Sequence, residues 1–410
     1  MSRAFIFVAK GITGGTATLV YRLGVALQRK DFDVYYIKEL CNNNSNETLI
    51  QNAGIHVITT EQKKWKITVV EIGQRYDEVY LMTFVFQYFC MIENAKYKLL
   101  KKKVCANAYL YTTLPDCLII GNGSRSSHPA AFRLLNFLSR PYINELLNNR
   151  QVLFMDQLSI ETHKAFFGRD ISNELLFRLP YAIPAGYSEP HEFKPVIMTM
   201  ARMDFPFKGY IIGLIDSFAE LKHKYQNLQL WIIGNGTSED ALQGKVKTLD
   251  ALSQKDVLLY GNMDYNKLHD VLREAGVFVG MGTCILDAAA VFTPAIAVQS
   301  STYQCLCKGL FSEYPEDIGY TSDQGLHEAT TDIERVLTMN QDTYIALCNR
   351  NRTIIEQLYS IDTYISRLMC LPNNTKWIRR TSRILNGLGN GLLSIYHCVR
   401  KVDWDSFDNN

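Results

Sequence analysis

The sequence has no run of the roughly 18 to 20 apolar residues that a membrane-spanning helix needs, so no spanning segment is expected in its 410 residues. It has almost no net charge either. Lys and Arg number 43 against 41 Asp and Glu, a formal +2, and no global field draws the chain to nucleic acid. Its ten cysteines are scattered from Cys41 to Cys398 without a framework. The one close pair, Cys305-Leu306-Cys307, lacks zinc-knuckle and redox spacing, and reads as buried cytosolic thiols rather than a metal site. No H-E-x-x-H, no P-loop lysine motif and no D-x-D pair at a strand end appears. The apolar start from Ala4 to Ala9 runs into Lys10 and glycines, not a small-residue cleavage site, and reads as a first buried strand instead of a signal peptide. These features place the chain in the cytoplasm, with a peripheral position at an inner membrane face as the further option.

What is present is a strand–helix alternation. Apolar residues make up 47% and charged residues 20% of the sequence, as in ordered globular proteins, and the length suits two domains. Ala4–Ala9, Asp33–Ile37, His56–Thr60, Asp77–Met82, Val104–Tyr111 and Gln151–Asp156 read as strands of a first domain, 1–185. Leu19, Val20, Leu23, Ala26 and Leu27 have helical spacing behind the turn that holds Gly14 and Gly15. That turn reads equally as close helix–sheet packing or as amides facing an acceptor or a phosphate; it is not G-x-G-x-x-G. Asp156 ends a strand, either as a helix N-cap or facing a cleft. His128 lies in a long polar loop and is a weaker candidate. Phe84, Phe86, Tyr88 and Phe89 read as core. Lys96, Lys98 and Lys101–Lys103 read as a solvated helix face or as a contact for an anionic bilayer.

The stretch Ala185–Lys194 reads as a linker, and 195–371 as a second domain of repeated βαβ units with a parallel sheet. In such sheets ligands bind beyond the carboxyl ends of the strands. After the apolar run Val196–Ala201 come Arg202 and Lys208, a cation pair suited to a phosphate or pyrophosphate. The tail, 372–410, has no acid from Asn373 to Val402, and Trp377, Ile384, Leu385, Leu388, Leu392, Ile395, Tyr396 and Val399 fall near helical spacing. It reads as a basic amphipathic helix, lying on a membrane or packed against the protein.

Four motifs of the second domain, in order, resemble those of the retaining glycosyltransferases of the GT-B fold, glycosyltransferase family 4. Ala201-Arg202-Met203 through Lys208-Gly209 is similar to the family's G-R-L…K-G. Ile233-Gly234-Asn235-Gly236 matches its I-G-x-G turn, and Leu259-Tyr260-Gly261-Asn262-Met263 its L-x-G-x-V segment. Val277-Phe278-Val279 through Pro294-Ala295-Ile296-Ala297 resembles D-V-F-V…E-A…G-x-P-V-I-A. The resemblance implies an α/β architecture of two doubly wound, Rossmann-like domains facing an interdomain cleft, with the last helix, Ile361–Leu371, crossing back to the first domain. It implies transfer of a sugar from a nucleoside-diphosphate donor, such as a UDP or GDP sugar, to a glycan or lipid-linked saccharide, with retention. No metal or other cofactor is expected, which the missing D-x-D fits.

Arg202 and Lys208 would then neutralise the leaving diphosphate. Gly234 and Gly236 would admit the donor closely, Asn262 would help define the base pocket, and Gly282, Thr283 and Cys284 would offer amides to the distal phosphate. Asp287 stands where the family has its ribose-binding glutamate. The family's first glutamate is replaced by Val279, which supports a non-catalytic partner that binds a glycan or another transferase as one alternative; a GT-B sugar-nucleotide epimerase is the other.

Overall fold

The computed structural model describes residues 1–9, 15–39, 47–112, 118–119, 130–264, 267–319, 324–374 and 376–389. Gly14 and His128 lie outside them, as do residues 390–410 of the tail. The chain forms two compact units, Met1–Pro180 with Ile361–Asn410, and Tyr181–Ser360.

The first unit is built on β1 (Arg3–Ala9), β2 (Phe32–Lys38), β3 (His56–Thr59), β4 (Glu78–Thr83), β5 (Cys105–Thr112) and β6 (Val152–Phe154). They form one sheet in the order β3-β2-β1-β4-β5-β6, parallel throughout. Residues 4–9 of β1 are all buried, as expected of a strand covered by helices on both faces. An aromatic ladder crosses the middle of the sheet: Phe5 stacks on Tyr80 at 6.0 Å, Tyr80 on Tyr109 at 6.5 Å and Phe7 on Phe84 at 6.2 Å. Phe84, Phe86, Tyr88 and Phe89 are buried, as the sequence indicated. Gly15 opens the first helix, Gly15–Gln28.

Asp156 caps the helix Gln157–Phe167, accepting from the Ser159 amide at 2.6 Å, and Gly168 closes it in the left-handed conformation at φ 59°. Of the two readings of Asp156, the cap is what forms. Lys96 departs from the expected solvated face. It is completely buried within the helix Phe86–Lys101 because its ammonium donates to the Asn374 carbonyl at 2.7 Å.

The tail is therefore part of this unit. Asn374 bonds both Asn107 and the backbone of Ala108 in β5, Trp377 stacks on Tyr97 at 4.0 Å, and Ser382 donates to Glu145 at 2.6 Å. Residues 380–389 are helical. The helix Ile361–Met369 also packs here, with Tyr364 edge-on to Tyr111 at 5.7 Å and to Phe177 at 5.3 Å. The expected second-domain boundary at 371 thus moves to 360, while the crossing back of the last helix holds.

The second unit contains β7 (Val196–Met200), β8 (Gln229–Ile233), β9 (Val257–Gly261), β10 (Val277–Gly280), β11 (Ala295–Val298), β12 (Leu306–Leu310) and β13 (His327–Glu328). Their order is β13-β12-β11-β10-β7-β8-β9. Strands β7 to β11 are parallel, and β12 and β13 add an antiparallel edge. The stretch expected to be a linker belongs to this unit. Tyr181 pairs with the Tyr359 carbonyl at 2.7 Å, Tyr187 donates to Asp270 at 2.7 Å and Lys194 to Glu274 at 2.6 Å. Polar composition there reflects side chains with specific partners, not a solvated spacer.

Candidate functional site

In the second sheet the strand order reverses between β7 and β10, which lie side by side and parallel. That is the topological switch point, where a doubly wound sheet opens a crevice beyond its strand ends. Arg202 and Lys208 follow β7; Gly282, Thr283 and Cys284 follow β10. The fold therefore brings to one end of two neighbouring strands the groups that the sequence suggested separately.

The loop after β7 is tightly held. Met203 donates to the Asn235 carbonyl and accepts from the Ser238 amide, both at 2.9 Å, while Lys208 N bonds the Asp204 carbonyl at 2.9 Å. Asp204 pairs with the Arg202 guanidinium and accepts from the Thr237 hydroxyl at 3.1 Å. Arg202 remains exposed and Lys208 half-buried. Burial pushes the Lys208 ammonium down to about 8, with Cys284 and Asp204 opposing the fall and Arg202 adding to it. Lys208 thus feels both the Arg202 guanidinium and the side chain of Cys284, in the first turn of the helix Thr283–Ala290. Asp204 offsets part of the Arg202 charge, and an anion bound near Lys208 would favour its charged form further.

Gly234 and Gly236 serve this loop directly. A Cβ on Gly234, at φ +117°, would meet the Ala201 carbonyl oxygen at 2.0 Å, and one on Gly236 would meet Met203 backbone at 2.5 Å. The space that glycine leaves at both positions is filled by the chain's own loop, so their requirement is met without a donor. Asn262 is exposed beyond the end of β9. Gly282 caps the helix at φ 69°, but its amide already donates to the Ile318 carbonyl at 2.6 Å. That corrects the expectation for Gly282; Thr283 and Cys284 open the first turn of the helix.

Asp287 is buried on the same helix. Its Oδ1 accepts from the Tyr181 hydroxyl at 2.9 Å and lies 3.9 Å from Nε2 of His269, which is itself 3.2 Å from that hydroxyl. The residue expected to receive ribose hydroxyls is engaged by Tyr181 within the same unit. Val279 is fully buried in β10, so the family's first glutamate has no counterpart at that position. Sequence reasoning missed Tyr181, His269 and Asp204. Asp204 was visible two residues after Arg202; Tyr181 and His269 carry no periodic or spacing signal.

Residues 188–312 match the family described as "Glycosyl transferases group 1". No curated protein sequence matches the chain. Among solved structures, the fold is similar to that of a mutant of S. aureus TarM in complex with Fondaparinux, alpha-GlcNAc-glycerol and UDP, at 12% identity and TM-score 0.60 over 90% of this chain and 99% of that one. It is similar to a glycosyltransferase from Rickettsia africae at 13% identity and TM-score 0.62, over 90% and 97%. Sucrose-phosphate synthase from Thermosynechococcus elongatus gives 14% and 0.57, also over 90% and 97%. The fold is GT-B, and the matched segment carries the four motifs and all of the switch-point residues. Together they support a glycosyltransferase.

Proposed function

We propose that the chain moves a sugar from a nucleoside-diphosphate donor to a glycan or lipid-linked saccharide acceptor, with retention and without a catalytic metal. The observation that carries this is the convergence of Arg202, Lys208 and the start of the helix Thr283–Ala290 at the β7/β10 switch point. Glycosyl transfer builds negative charge on the departing diphosphate. Fixed cations and a helix N-terminus stabilise that charge where it forms. UDP in the TarM complex makes uridine diphosphate sugars the first donors to try. The test is release of nucleoside diphosphate from a panel of uridine, guanosine and adenosine diphosphate sugars, with and without glycan acceptors. Release from none of them, by protein that binds no nucleoside diphosphate, overturns the reading. The buried Val279 favours one rival, a glycan-binding partner without turnover, which would bind glycan yet release nothing. An epimerase would interconvert free sugar nucleotides without acceptor.

A peripheral site at an anionic membrane is the second element of the proposal. Ile384 and Leu388 are exposed at 51% and 56%, and Trp377, one face of which stacks on Tyr97, is exposed at 54%, beside exposed Lys376, Arg379 and Arg380. Apolar anchors among basic residues suit an anionic bilayer. Replacing Trp377, Ile384 and Leu388 together by Ser should abolish co-sedimentation with anionic vesicles; unchanged sedimentation removes the membrane from the reading.

A further inference from the structure

At the antiparallel edge of the second sheet, three donor atoms from three successive elements point at one another. Cys307 on β12 faces His327 on β13 as a direct cross-strand pair, and Asp332 comes from the first turn of the helix Thr330–Leu337. The Cys307 Sγ lies 3.4 Å from Oδ2 of Asp332 and 3.9 Å from Nε2 of His327, and Nε2 lies 2.7 Å from Oδ2. Cys307 and Asp332 are buried and His327 is exposed.

A nucleophilic reading of this trio fails on geometry. In a Cys–His–acid triad the two ring nitrogens divide the work, one toward sulfur and one toward carboxylate. Here a single nitrogen faces both. A centre on which sulfur, imidazole nitrogen and carboxylate oxygen all converge is instead the arrangement of metal ligands. Zinc–ligand bonds of about 2.3 Å to sulfur and about 2.0 to 2.2 Å to nitrogen and oxygen, at tetrahedral angles, put the donors about 3.4 to 3.6 Å apart. The two sulfur edges already lie near that range. The short nitrogen–oxygen edge is the direct hydrogen bond that an ion would replace.

We propose that Cys307, His327 and Asp332 bind one zinc ion, with water in the fourth position on the exposed side of His327. Sulfur, nitrogen and oxygen donors together favour zinc over the hard cations. The charges balance: the thiol loses its proton on binding, and one thiolate with one carboxylate neutralises the ion. Arg335 holds the other Asp332 oxygen at 3.2 Å and pairs with Glu313, so the carboxylate is aimed by a second contact, as outer partners of metal ligands are. The ion would tie β12, β13 and the following helix together. Two strands, β11 and β10, separate this edge from β7, and the proposal is independent of the glycosyl-transfer reading.

The test uses the full-length, tag-free chain, stripped of metal and titrated with zinc against a chromogenic chelator. One ion per chain is expected, with a rise in melting midpoint. Cobalt in place of zinc should show a near-ultraviolet sulfur charge-transfer band and the visible bands of four-coordinate cobalt. Cys307→Ser should lose the charge-transfer band, and His327→Gln should weaken zinc binding at least about tenfold, the scale set even by outer contacts. The exposed position of His327 keeps that second variant folded, so it decides the matter if Cys307→Ser does not fold. Absence of stoichiometric zinc, or an unchanged affinity in His327→Gln, overturns the site.

Discussion

The two units share one winding order and place their charges in opposite ways. In the first unit the charges that attract notice are inside. Glu93 and Lys96 are completely buried. Glu93 accepts from Tyr97 at 2.5 Å and from Tyr142 at 2.7 Å, and Lys96 fastens the backbone of Asn374. Burial raises the Glu93 carboxyl, against the pull of both tyrosines, Lys96 and Arg383, and lowers the Lys96 ammonium to about 8. In the second unit Arg202 and Lys208 stand at the ends of strands, near solvent, beside a helix start. Buried charges with full sets of partners hold the chain's own tail. The cations at the switch point lie partly in solvent, with Arg202 paired to Asp204. The comparison teaches that the sign of a pKa shift does not separate architecture from chemistry, since Lys96 and Lys208 fall alike; the partners of each group do.

The largest effect that tests this contrast is on stability. Glu93→Ala removes the acceptor of two buried hydroxyls and leaves Lys96 without its neighbouring carboxylate. Breaking such a buried pair costs about 3 to 5 kcal/mol. Denaturant unfolding should report that loss, while nucleoside diphosphate binding by the folded fraction stays unchanged. A stable Glu93→Ala protein with impaired donor binding would reverse the assignment. Next in size is the converse. Arg202→Ala and Lys208→Ala should each lower kcat/KM for nucleotide release by about 100- to 1,000-fold, the scale of a lost charge-stabilising donor, while Arg202→Ala changes stability by about 0.5 kcal/mol or less and Lys208→Ala raises it at neutral pH, where the folded chain holds the charged lysine at a cost. Equal losses of stability in both units' variants would erase the contrast.

A smaller effect separates the two roles within Lys208 itself. Its folded pKa, about 8, lies below the ordinary 10.5. The cation is the active form, so kcat/KM should be level below pH 8 and fall about tenfold per unit above it. In the donor complex the diphosphate charge favours the ammonium, and the kcat profile should be displaced to higher pH. Stability moves the other way. Between the two pKa values the unfolded chain binds more protons than the folded one, so this residue's contribution to stability rises with pH from about 8 toward 10.5. Opposite slopes for activity and stability are the signature; a flat kcat/KM between pH 7 and 10 removes Lys208 from the chemistry.

The same contrast explains what the sequence made legible. The first sheet and the parallel strands of the second could be read one by one, because strands buried on two faces write apolar runs, as Val196–Met200 and Val277–Gly280 do; the antiparallel edge, β12 and the exposed two-residue β13, writes no such run. The Arg202–Lys208 loop was legible because a motif of cations after a strand end needs only the fold to become a site. The fate of Lys96 and of the tail was not, since a basic run looks solvated until a distant Asn374 reaches it across 278 residues of sequence. Nor was the engagement of Asp287, whose partner Tyr181 lies 106 residues away in a stretch that read as a domain end.

The smallest effect concerns that last pair. Tyr181→Phe deletes one hydroxyl and leaves ring packing intact, so it isolates the 2.9 Å bond to Asp287 and the 3.2 Å contact with His269. A buried carboxylate that loses a neutral donor costs about 1 to 3 kcal/mol. If Asp287 serves the second unit's architecture, the loss appears as a lower unfolding free energy and the donor KM stays put. If Asp287 instead receives ribose hydroxyls, in the manner of the glutamate it replaces, Tyr181 competes with the donor for that carboxylate. Its removal would then lower the donor KM, and Asp287→Asn would raise it with little change in stability. The geometry favours the first outcome, because Asp287 is buried with its Oδ1 already bonded, whereas Arg202, three strands earlier in sequence but after the neighbouring strand in the sheet, remains exposed.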